Sequence, residues 1–369
     1  MASRNLVVGA GFSGATVARL LSDRGEQVTV IDRRDHIAGN CYDYRDENGI
    51  MVHKYGSHIF HTNNVEVWNF INRFTKFNGY RHKVRAMIDG KEVPIPFNLN
   101  SLFVVFPEST ANGLKDKLLK VYGYGSKIPI LELKKTNDPD LVMLADYVYE
   151  KVFLGYTRKQ WGFLPEEMDG TVTARVPVYV SEDDCYFQDE YQGIPEEGYT
   201  RTVEKMLDSP LIDVRLNTDF KSVQSGMYDR IFYTGSIDEF FDYAYGALPY
   251  RSVSFESSTV DQEFYQSGAV INYPCDHDFT RIHEYKYYLG DPTDKTTIVR
   301  EYSESFELGK NDRYYPIMRA ENKALYQRYL DETIRLNANV IFVGRLGEYR
   351  YYDMDKVIES ALELVKTLY

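Results

Sequence analysis

Three of the seven histidines lie close together in this sequence, His53, His58 and His61. Histidine is a common metal ligand, but a zinc site needs about four ligands at defined spacings. No Cys-x-x-Cys or His-Glu-x-x-His pattern stands near these histidines. The sequence therefore predicts no metal site, and it predicts structural hydrogen bonds for His53 and His61. The role of His58 depends on the elements that precede it.

The segment GAGFSG, residues 9–14, has the spacing G-x-G-x-x-G. It follows an apolar strand and opens a helix, and Asp32 ends the next strand about twenty residues later. Gly9 permits a tight turn, Gly11 lets a pyrophosphate approach the backbone, and Gly14 lets helix and strand pack closely. The free N–H groups of the helix N-terminus suit the phosphates, and the Asp32 carboxylate suits the ribose hydroxyls. This pattern predicts a dinucleotide site.

Two further segments favour FAD over NAD as the dinucleotide. Residues 32–43, DRRDHIAGNCYD, continue into a second glycine turn, which in flavoproteins of the glutathione-reductase type lies along an extended cofactor. Near the C-terminus, VGRLGEYRYYDMDKVIESAL places a loop before a helix N-terminus at Asp353 and Met354. That N-terminus is predicted to face the ribityl or pyrophosphate part of the flavin cofactor.

The elements that position these residues predict a discontinuous α/β fold. Residues 98–165 have mostly helical patterns, whereas 247–303 are rich in β-branched and aromatic residues, which is typical of an antiparallel sheet. The predicted fold is a Rossmann-like FAD-binding domain with an inserted helical bundle and an antiparallel β-sheet domain. Its predicted limits are 1–75, 200–240 and 312–369 for the FAD-binding domain; 98–170 for the helical domain; and 76–97, 171–199 and 241–311 for the sheet or substrate domain.

Composition and charge restrict the partners. The net charge of −12 disfavours non-specific binding to nucleic acid or to a membrane surface. No apolar run approaches the roughly 20 residues that span a bilayer, and the N-terminus lacks a signal-peptide pattern. Three widely spaced cysteines do not form a disulfide framework, so we expect a cytoplasmic protein. The 32 tyrosines suit the recognition of sugars and bases.

Several segments in the same order resemble the bacterial UDP-galactopyranose mutases along essentially the whole chain. They include HIAGN, HKYGSHIFHT, GYTRKQWG, YQGIPEEGYT, TRIHEYKYY, PTDKTTIVREYS and GRLGEYRYYDM. The resemblance implies a flavin-dependent isomerase that interconverts UDP-galactopyranose and UDP-galactofuranose without net redox change. It also implies a covalent adduct between N5 of reduced FAD and the sugar C1. NADPH or another reductant would supply the electrons, and a homodimer is expected.

The resemblance also assigns roles to residues of this sequence. It implies that His58 lies beside the flavin and that Arg175 and Arg281 neutralise the diphosphate, with Arg175 on a mobile loop; these three are the predicted catalytic residues. The predicted cofactor-binding residues are Gly9, Gly11, Phe12, Ser13, Gly14, Asp32, Arg33, Gly39, Asn40, His58, Thr234, Gly235, Arg345, Tyr352, Asp353 and Met354. The predicted substrate-binding residues are His82, Tyr156, Thr157, Trp161, Arg175, Tyr186, Arg251, Arg281, Tyr315, Tyr351 and Asp353.

Departures from the family pattern leave the sugar open. Many members have Asn-Ser-Pro where this chain has His82-Lys83-Val84, and Tyr179 stands where a second arginine is common. UDP-N-acetylgalactosamine or a deoxysugar nucleotide is therefore an alternative substrate of the same chemistry.

Three more protein classes bind dinucleotides on a fold of this kind: a flavin amine oxidase-like oxidoreductase, a non-catalytic sugar-nucleotide-binding flavoprotein and an NAD dehydrogenase. The arginine–tyrosine pocket disfavours the oxidoreductase. The presence of His58, Arg175 and Arg281 disfavours the non-catalytic flavoprotein, and the C-terminal flavin segment disfavours the dehydrogenase. The sequence therefore favours the mutase.

Overall fold

A computed structural model describes residues 3–168, 170, 176–336 and 339–369 of the chain. Within these ranges the strands are β1 Arg4–Val8, β2 Gln27–Ile31, β3 Asp43–Arg45, β4 Met51–His53, β5 Phe60–Thr62, β6 Val84–Ile88, β7 Lys91–Ile95, β8 Lys127–Ile128, β9 Val178–Tyr179, β10 Tyr191–Gly193, β11 Ile212–Arg215, β12 Arg230–Tyr233, β13 Tyr250–Val260, β14 Val270–Asn272, β15 Arg281–Glu284, β16 Thr296–Ser305, β17 Tyr315–Pro316 and β18 Val340–Phe342. The helices are α1 Phe12–Asp23, α2 Val65–Ile71, α3 Leu99–Val105, α4 Glu108–Tyr122, α5 Ile130–Leu133, α6 Pro139–Val148, α7 Gly155–Trp161, α8 Tyr199–Leu207, α9 Ile237–Phe240, α10 Lys286–Leu289, α11 Ala320–Arg335, α12 Gly344–Gly347 and α13 Met354–Thr367.

A five-stranded parallel sheet of order β11-β2-β1-β12-β18 carries the glycine turn. Successive side chains of a strand point to opposite faces, and both faces of this sheet are covered. Val7 packs with α1 and α13 on one face, whereas Leu6 and Ile31 pack with Ile231 and Tyr233 on the other. This double burial explains why Leu6, Val7 and Val8 of β1 are consecutive apolar residues rather than alternating with polar ones. The predicted α/β class is confirmed.

A seven-stranded sheet of order β17-β13-β16-β15-β14-β6-β7 forms the second layer of strands. Its pairs are antiparallel, as predicted, except for β14 and β6, which run parallel. Strands β6 and β7 are joined at Asp89 and Gly90, which have φ angles of 49° and 76°. Two consecutive positive φ values are typical of a type I′ hairpin turn, and Asp-Gly is a preferred pair for it.

Helices α3 to α7 occupy most of residues 99–161, as the helical periodicity of the sequence predicts. Their buried leucines, among them Leu102, Leu114 and Leu144, share one apolar core with the seven-stranded sheet. A π-helical segment, Tyr149–Leu154, leads directly into α7. Helix α7 then carries predicted substrate residues against β16.

The strands of the parallel sheet come from three separate stretches of the sequence, near 4–31, 212–233 and 340–342. The helical stretch and the seven-stranded sheet lie between these stretches in sequence. We therefore propose for the folded chain the same three-part division that the sequence predicts. Among the described residues, none of the helices combines the length and the apolar composition that crossing a membrane requires.

Candidate active site

The glycine turn between β1 and α1 leaves room for a ligand but not for side chains. A Cβ at Gly9, where φ is +105°, would overlap the hydroxyl of Thr234, and a Cβ at Gly14 would overlap the carbonyl oxygen of Gly9. A Cβ at Gly11 would lie 3.7 Å from the nearest protein atom, the Cα of Gly39. The two glycine turns predicted from the sequence therefore meet at one place.

The first turn of α1 has donors that no side chain among the described residues caps. Gly11, the residue before the helix, provides no side-chain cap. The hydroxyl of Ser13 is buried and has no hydrogen-bond partner among the described residues. Unpaired buried donors of this kind are the groups that a phosphate satisfies. The Asp32 carboxylate accepts a hydrogen bond from the Ala10 N–H at 2.8 Å. This bond fixes the C-terminal end of β2 beside the glycine turn.

A cavity of about 510 Å³ lies beside this turn, at the carboxyl ends of β1, β2 and β12. The predicted cofactor residues that line it are Gly9, Gly11, Phe12, Ser13, Asp32, Arg33, Gly39, Asn40, His58, Thr234, Gly235, Arg345 and Met354. The unpaired donors at the glycine turn fit the phosphates of the predicted dinucleotide, and the cavity extends as far as His58. Gly14 packs behind the cavity instead of lining it.

Tyr352 contacts Arg345 through its backbone carbonyl rather than through its ring. Its carbonyl oxygen accepts from Arg345 Nε at 3.1 Å and from Nη2 at 2.6 Å. The phenol hydroxyl bonds to Arg350 and Glu348 instead of facing the cavity. Tyr352 therefore orients the Arg345 guanidinium, which does line the cavity.

A second cavity, of about 710 Å³, adjoins the first. The predicted substrate residues that line it are His82, Tyr156, Thr157, Trp161, Tyr186, Arg281, Tyr315, Tyr351 and Asp353. Three side chains, His58, Arg345 and Met354, line both cavities. The predicted cofactor and substrate sites therefore meet at these three residues.

His58 is held as a neutral imidazole at this junction. Its Nδ1 lies 2.8 Å from the carbonyl oxygen of Gly56, which can only accept, so Nδ1 carries the proton and Nε2 is unprotonated. Burial, together with the neighbouring His53, lowers the pKa of His58 to about 3. The His58 N–H in turn donates to Nδ1 of His53 at 3.1 Å.

Arg281 supplies positive charge to the second cavity. Its Nε lies 3.3 Å from Oε1 of Glu301, and Nη2 donates to the hydroxyl of Tyr156. Burial opposes the charged form of Arg281, but the Glu301 carboxylate outweighs this effect and raises the guanidinium pKa. Burial likewise opposes the ionisation of Glu301, but Arg281 and a hydrogen bond from His283 outweigh it and hold the Glu301 pKa at about 2. The arginine is therefore a fixed cation.

An aromatic wall closes the second cavity beside the junction. Trp161 lies 5.4 Å from Tyr351 and 6.0 Å from Tyr315 between ring centroids. Tyr315 and Tyr351 meet edge to face at 5.4 Å, and the Arg345 guanidinium lies 5.4 Å from the Tyr315 centroid. Such edge-to-face packing fixes the rings and their hydroxyls in place.

His82 lies buried at another wall of the second cavity. Its Nδ1 is 3.1 Å from the Tyr80 hydroxyl, and its ring stacks on Phe187 at 6.1 Å. Burial, with added repulsion from His283 and Arg281, lowers the His82 pKa to about 3. The side chain is therefore a neutral hydrogen-bonding group at neutral pH.

Arg251 and Arg175 are two of the residues predicted to contact the diphosphate. Arg251 lies away from the cavity: its Nε donates to Gln160 O at 2.9 Å, Nη2 to Lys159 O at 3.0 Å, and Nη1 to Ser305 Oγ at 3.0 Å. Because these donors are engaged at the end of α7, we reassign Arg251 from phosphate binding to holding that helix. Arg175 lies outside the described residues.

His53 and His61, predicted to be structural, make contacts of that kind. His61 Nδ1 lies 2.9 Å from Asp189 Oδ2, and its ring stacks on Phe187 at 3.6 Å. Sequence reasoning missed Ser57, His283 and Glu301, which form a buried network beside the second cavity. No local spacing identifies this network, because Ser57 and His283 are 226 residues apart. In the part of the chain that the structure describes, no three His, Cys, Asp or Glu side chains converge on a metal position.

Comparison with known proteins gives one consistent family. A family model described as UDP-galactopyranose mutase matches residues 151–351, and one described as an NAD(P)-binding Rossmann-like domain matches 7–74. The chain is 40% identical to a probable UDP-galactopyranose mutase of Klebsiella pneumoniae, over 97% of this chain and 92% of that protein. It is 37% identical to the dTDP-fucopyranose mutase of Escherichia coli, over 97% of this chain and 96% of that protein.

A similarity to a solved structure agrees at the level of the fold. The crystal structure of a reduced UDP-galactopyranose mutase superposes with a TM-score of 0.75 at 15% identity, covering 100% of this chain and 94% of the other. At that identity the superposition supports the Rossmann-like fold with its appended sheet.

Proposed function

The chain belongs to the UDP-galactopyranose mutase family, and on that premise we propose that it interconverts UDP-galactopyranose and UDP-galactofuranose. A mutase is an isomerase, and the family together with the Rossmann-like segment identifies FAD as the cofactor. One observation carries the proposal: a dinucleotide cavity and a cavity lined by arginine and tyrosine side chains share His58, Arg345 and Met354. A flavin and a nucleotide sugar bound in these cavities would meet at that junction.

When bound and reduced, FAD would supply a nucleophilic N5 that displaces UDP from the sugar C1. The protein must then keep the released nucleotide in place while the sugar ring changes size. Arg281, with its fixed charge, and the hydroxyls of Tyr315 and Tyr351 are the groups we assign to the diphosphate. Arginine suits this task because its planar fork matches phosphate oxygens.

His58 and the aromatic wall have distinct tasks in this proposal. Because Nδ1–H is engaged by Gly56, the unprotonated Nε2 of the neutral His58 ring is the atom that can accept a hydrogen bond at the junction. Trp161, Tyr315 and Tyr351 exclude water from the same place, which protects an opened sugar from hydrolysis.

The deciding experiment compares oxidised and reduced enzyme with UDP-galactofuranose as substrate. We expect a yellow protein that forms UDP-galactopyranose, measured by anion-exchange chromatography, only after dithionite reduction. Equal turnover by the oxidised enzyme would contradict the nucleophilic role of the reduced flavin. If neither the oxidised nor the reduced enzyme converts UDP-galactofuranose, the proposed activity is contradicted.

A deoxysugar nucleotide is the second candidate substrate, because the dTDP-fucopyranose mutase is nearly as similar as the UDP-galactopyranose mutase, at 37% against 40% identity. His82 lines the second cavity in a chain whose predicted sugar-facing segment departs from the common pattern. A panel of UDP-galactopyranose, UDP-N-acetylgalactosamine and dTDP-fucopyranose, compared by kcat/KM with the reduced enzyme, distinguishes these substrates. The homodimer, the reductant NADPH and the cytoplasmic location stay predictions, and light scattering tests the first of them.

A further inference from the structure

Four side chains form one chain of hydrogen bonds at the wall of the second cavity, which Ser57 and Glu301 line. The Tyr288 hydroxyl donates to Ser57 Oγ at 2.6 Å, and Ser57 Oγ lies 2.6 Å from His283 Nδ1. His283 Nε2 lies 3.0 Å from Oε2 of Glu301. His283 is 0% exposed and Glu301 is 3% exposed, so water does not compete for these groups.

The order of donors and acceptors fixes the tautomer of His283. The Glu301 carboxylate can only accept, so Nε2 carries a proton. Tyr288 already donates to Ser57, so the Ser57 hydroxyl hydrogen is directed to Nδ1, which accepts it. A second proton on the ring would place two hydrogens between Ser57 Oγ and Nδ1 and break this hydrogen bond at a partly buried hydroxyl. His283 is thus a neutral imidazole that joins a hydroxyl to a carboxylate.

Strand geometry places one end of this chain at Arg281. Arg281 and Glu301 are directly opposite each other in the antiparallel pair β15 and β16. Arg281 and His283 are two residues apart on β15, so their side chains share a face of the sheet. Both reach Glu301, Arg281 at Oε1 and His283 at Oε2.

The other end of this series of hydrogen bonds is the loop that carries His58. Ser57 precedes His58 directly, and the Gly56 carbonyl accepts from the His58 ring. The loop backbone also lies close against the same carboxylate, because a Cβ at Gly56 would be 3.4 Å from Glu301 Oε2 and 3.2 Å from the Phe255 ring. Glu301 therefore lies beside the flavin-side loop and pairs with the nucleotide-side arginine.

We propose that His283 is a positioning residue that connects the loop of Ser57 and His58 to the Glu301–Arg281 pair. It thereby fixes the position of His58, on the flavin side of the site, relative to Arg281, on the nucleotide side. The proposal rests on the proposed function for the roles of His58 and Arg281. His283 itself touches neither ligand. Its effect passes through Ser57 on one side and through Glu301 on the other.

Two variants break the hydrogen bond between Ser57 and His283 and keep the one between residue 283 and Glu301. Ser57→Ala removes the hydroxyl, and His283→Gln retains an N–H donor for Glu301 but not the Nδ1 acceptor. We expect each to lower kcat of the reduced enzyme roughly tenfold, the size of one lost hydrogen bond in a buried network, while UDP affinity stays within about twofold of wild type. We also expect equal shifts in flavin midpoint potential, and no further loss in the double variant.

A third variant, His283→Leu, removes both connections. We expect it to lower kcat as the first two do and also to weaken UDP binding to the oxidised holoenzyme roughly tenfold, measured by calorimetry. Ser252→Ala is the matched control, because Ser252 is a fully buried serine of the same sheet whose hydroxyl has no partner among the described residues. It should change neither quantity.

Two outcomes overturn the proposal. Losses that multiply in the Ser57→Ala and His283→Gln double variant would show that the two residues act independently. UDP affinity and kcat within twofold of wild type in His283→Leu would show that the connection does not matter. If His283→Leu does not fold, the two milder variants decide the question. If wild-type enzyme converts no sugar nucleotide, the proposed function fails, while UDP affinity and flavin potential still test the connection.

Discussion

Arg281 and Glu301 face each other across adjacent antiparallel strands, with the guanidinium Nε 3.3 Å from the carboxylate Oε1. The Glu301 side chain is 4% exposed and that of Arg281 is 25% exposed, so the anion is the more deeply buried partner. Removing the cation therefore leaves a buried charge, whereas removing the anion leaves a cation that reaches solvent.

This asymmetry predicts a stability effect. Arg281→Ala should lower the free energy of unfolding by about 2–3 kcal/mol, somewhat below the value for a fully buried pair because part of Arg281 is solvated. The Arg281→Ala and Glu301→Gln double variant should recover part of this loss. Urea denaturation of the holoenzymes measures both, and a double variant less stable than Arg281→Ala would contradict the argument.

Nucleotide affinity tests the assignment of Arg281 to the diphosphate. Because charge-assisted hydrogen bonds contribute about 1.5–3 kcal/mol, Arg281→Ala should weaken UDP binding roughly 10- to 100-fold while flavin content is retained. Arg281→Lys should recover only part, since lysine lacks the planar fork. Arg158→Ala is the control, because Arg158 lies exposed on α7 and does not line the second cavity. Equal UDP affinity in Arg281→Ala and Arg158→Ala would show that the diphosphate binds elsewhere.

Arg175, which the family resemblance places on a loop over the substrate, gives a separate prediction. Arg175→Ala should lose most of its turnover and retain bound FAD, because the residue is assigned to the diphosphate and not to the cofactor. Steady-state kinetics together with the flavin-to-protein absorbance ratio measure this. Unchanged kcat/KM would remove Arg175 from the site.

The glycine turn offers a way to separate cofactor binding from folding. Gly11→Ala places a methyl group where protein atoms are no closer than 3.7 Å but where the pyrophosphate is expected, so the apoprotein should keep its melting temperature and lose most of its FAD affinity. Gly14→Ala should instead destabilise the apoprotein, since its Cβ overlaps the Gly9 carbonyl. Fluorescence titration with FAD and thermal unfolding distinguish the two. Full FAD affinity in Gly11→Ala would contradict the placement.

The buried histidines predict a loss of stability in mild acid. Burial, with a contribution from His283, lowers the pKa of His53 to about 3 in the folded protein, whereas in the unfolded chain it is near 6.5. As pH falls below about 6.5, His53 therefore gains a proton in the unfolded state before it does in the folded state. The contribution of neutral His53 to the free energy of unfolding is fully present above that pH and is lost progressively as pH falls towards 3. Between pH 6.5 and pH 5, this one residue should cost about 2 kcal/mol.

His53→Gln should accordingly show a shallower decline in the free energy of unfolding between pH 7 and pH 5 than wild type. His277→Asn is the control, because His277 is exposed and asparagine tolerates its positive φ of 65°. Urea denaturation at a series of pH values gives the slopes. Parallel slopes for wild type and His53→Gln would show that His53 is protonated alike in both states.

Local patterns were sufficient for much of the fold. The glycine spacing at residues 9–14, the apolar strand before it and the helix after it are set by neighbouring residues, and the structure has β1 and α1 there. The helical stretch from α3 to α7 and the Asp89–Gly90 hairpin follow from periodicity and turn chemistry in the same way. The FAD cofactor followed from the same local signals together with the family resemblance.

Contacts between distant segments were beyond such patterns. Arg251 matches a family motif, but its partners Lys159 and Gln160 belong to another part of the chain and engage its donors. Glu301 lies in a strand pattern that gives no sign of its two partners on β15. The parallel pairing of β14 with β6 likewise depends on packing, because strand sequences alone do not specify their neighbours.

The parallel sheet has a consequence for how the protein is made. Its glycine turn is synthesised long before Thr234, Arg345 and Met354, which complete the cavity beside that turn. The nascent protein therefore cannot assemble the whole cavity until Met354 has been synthesised. Cofactor loading must therefore follow the synthesis of Met354, and a chain that ends before residue 344 lacks a closed flavin pocket.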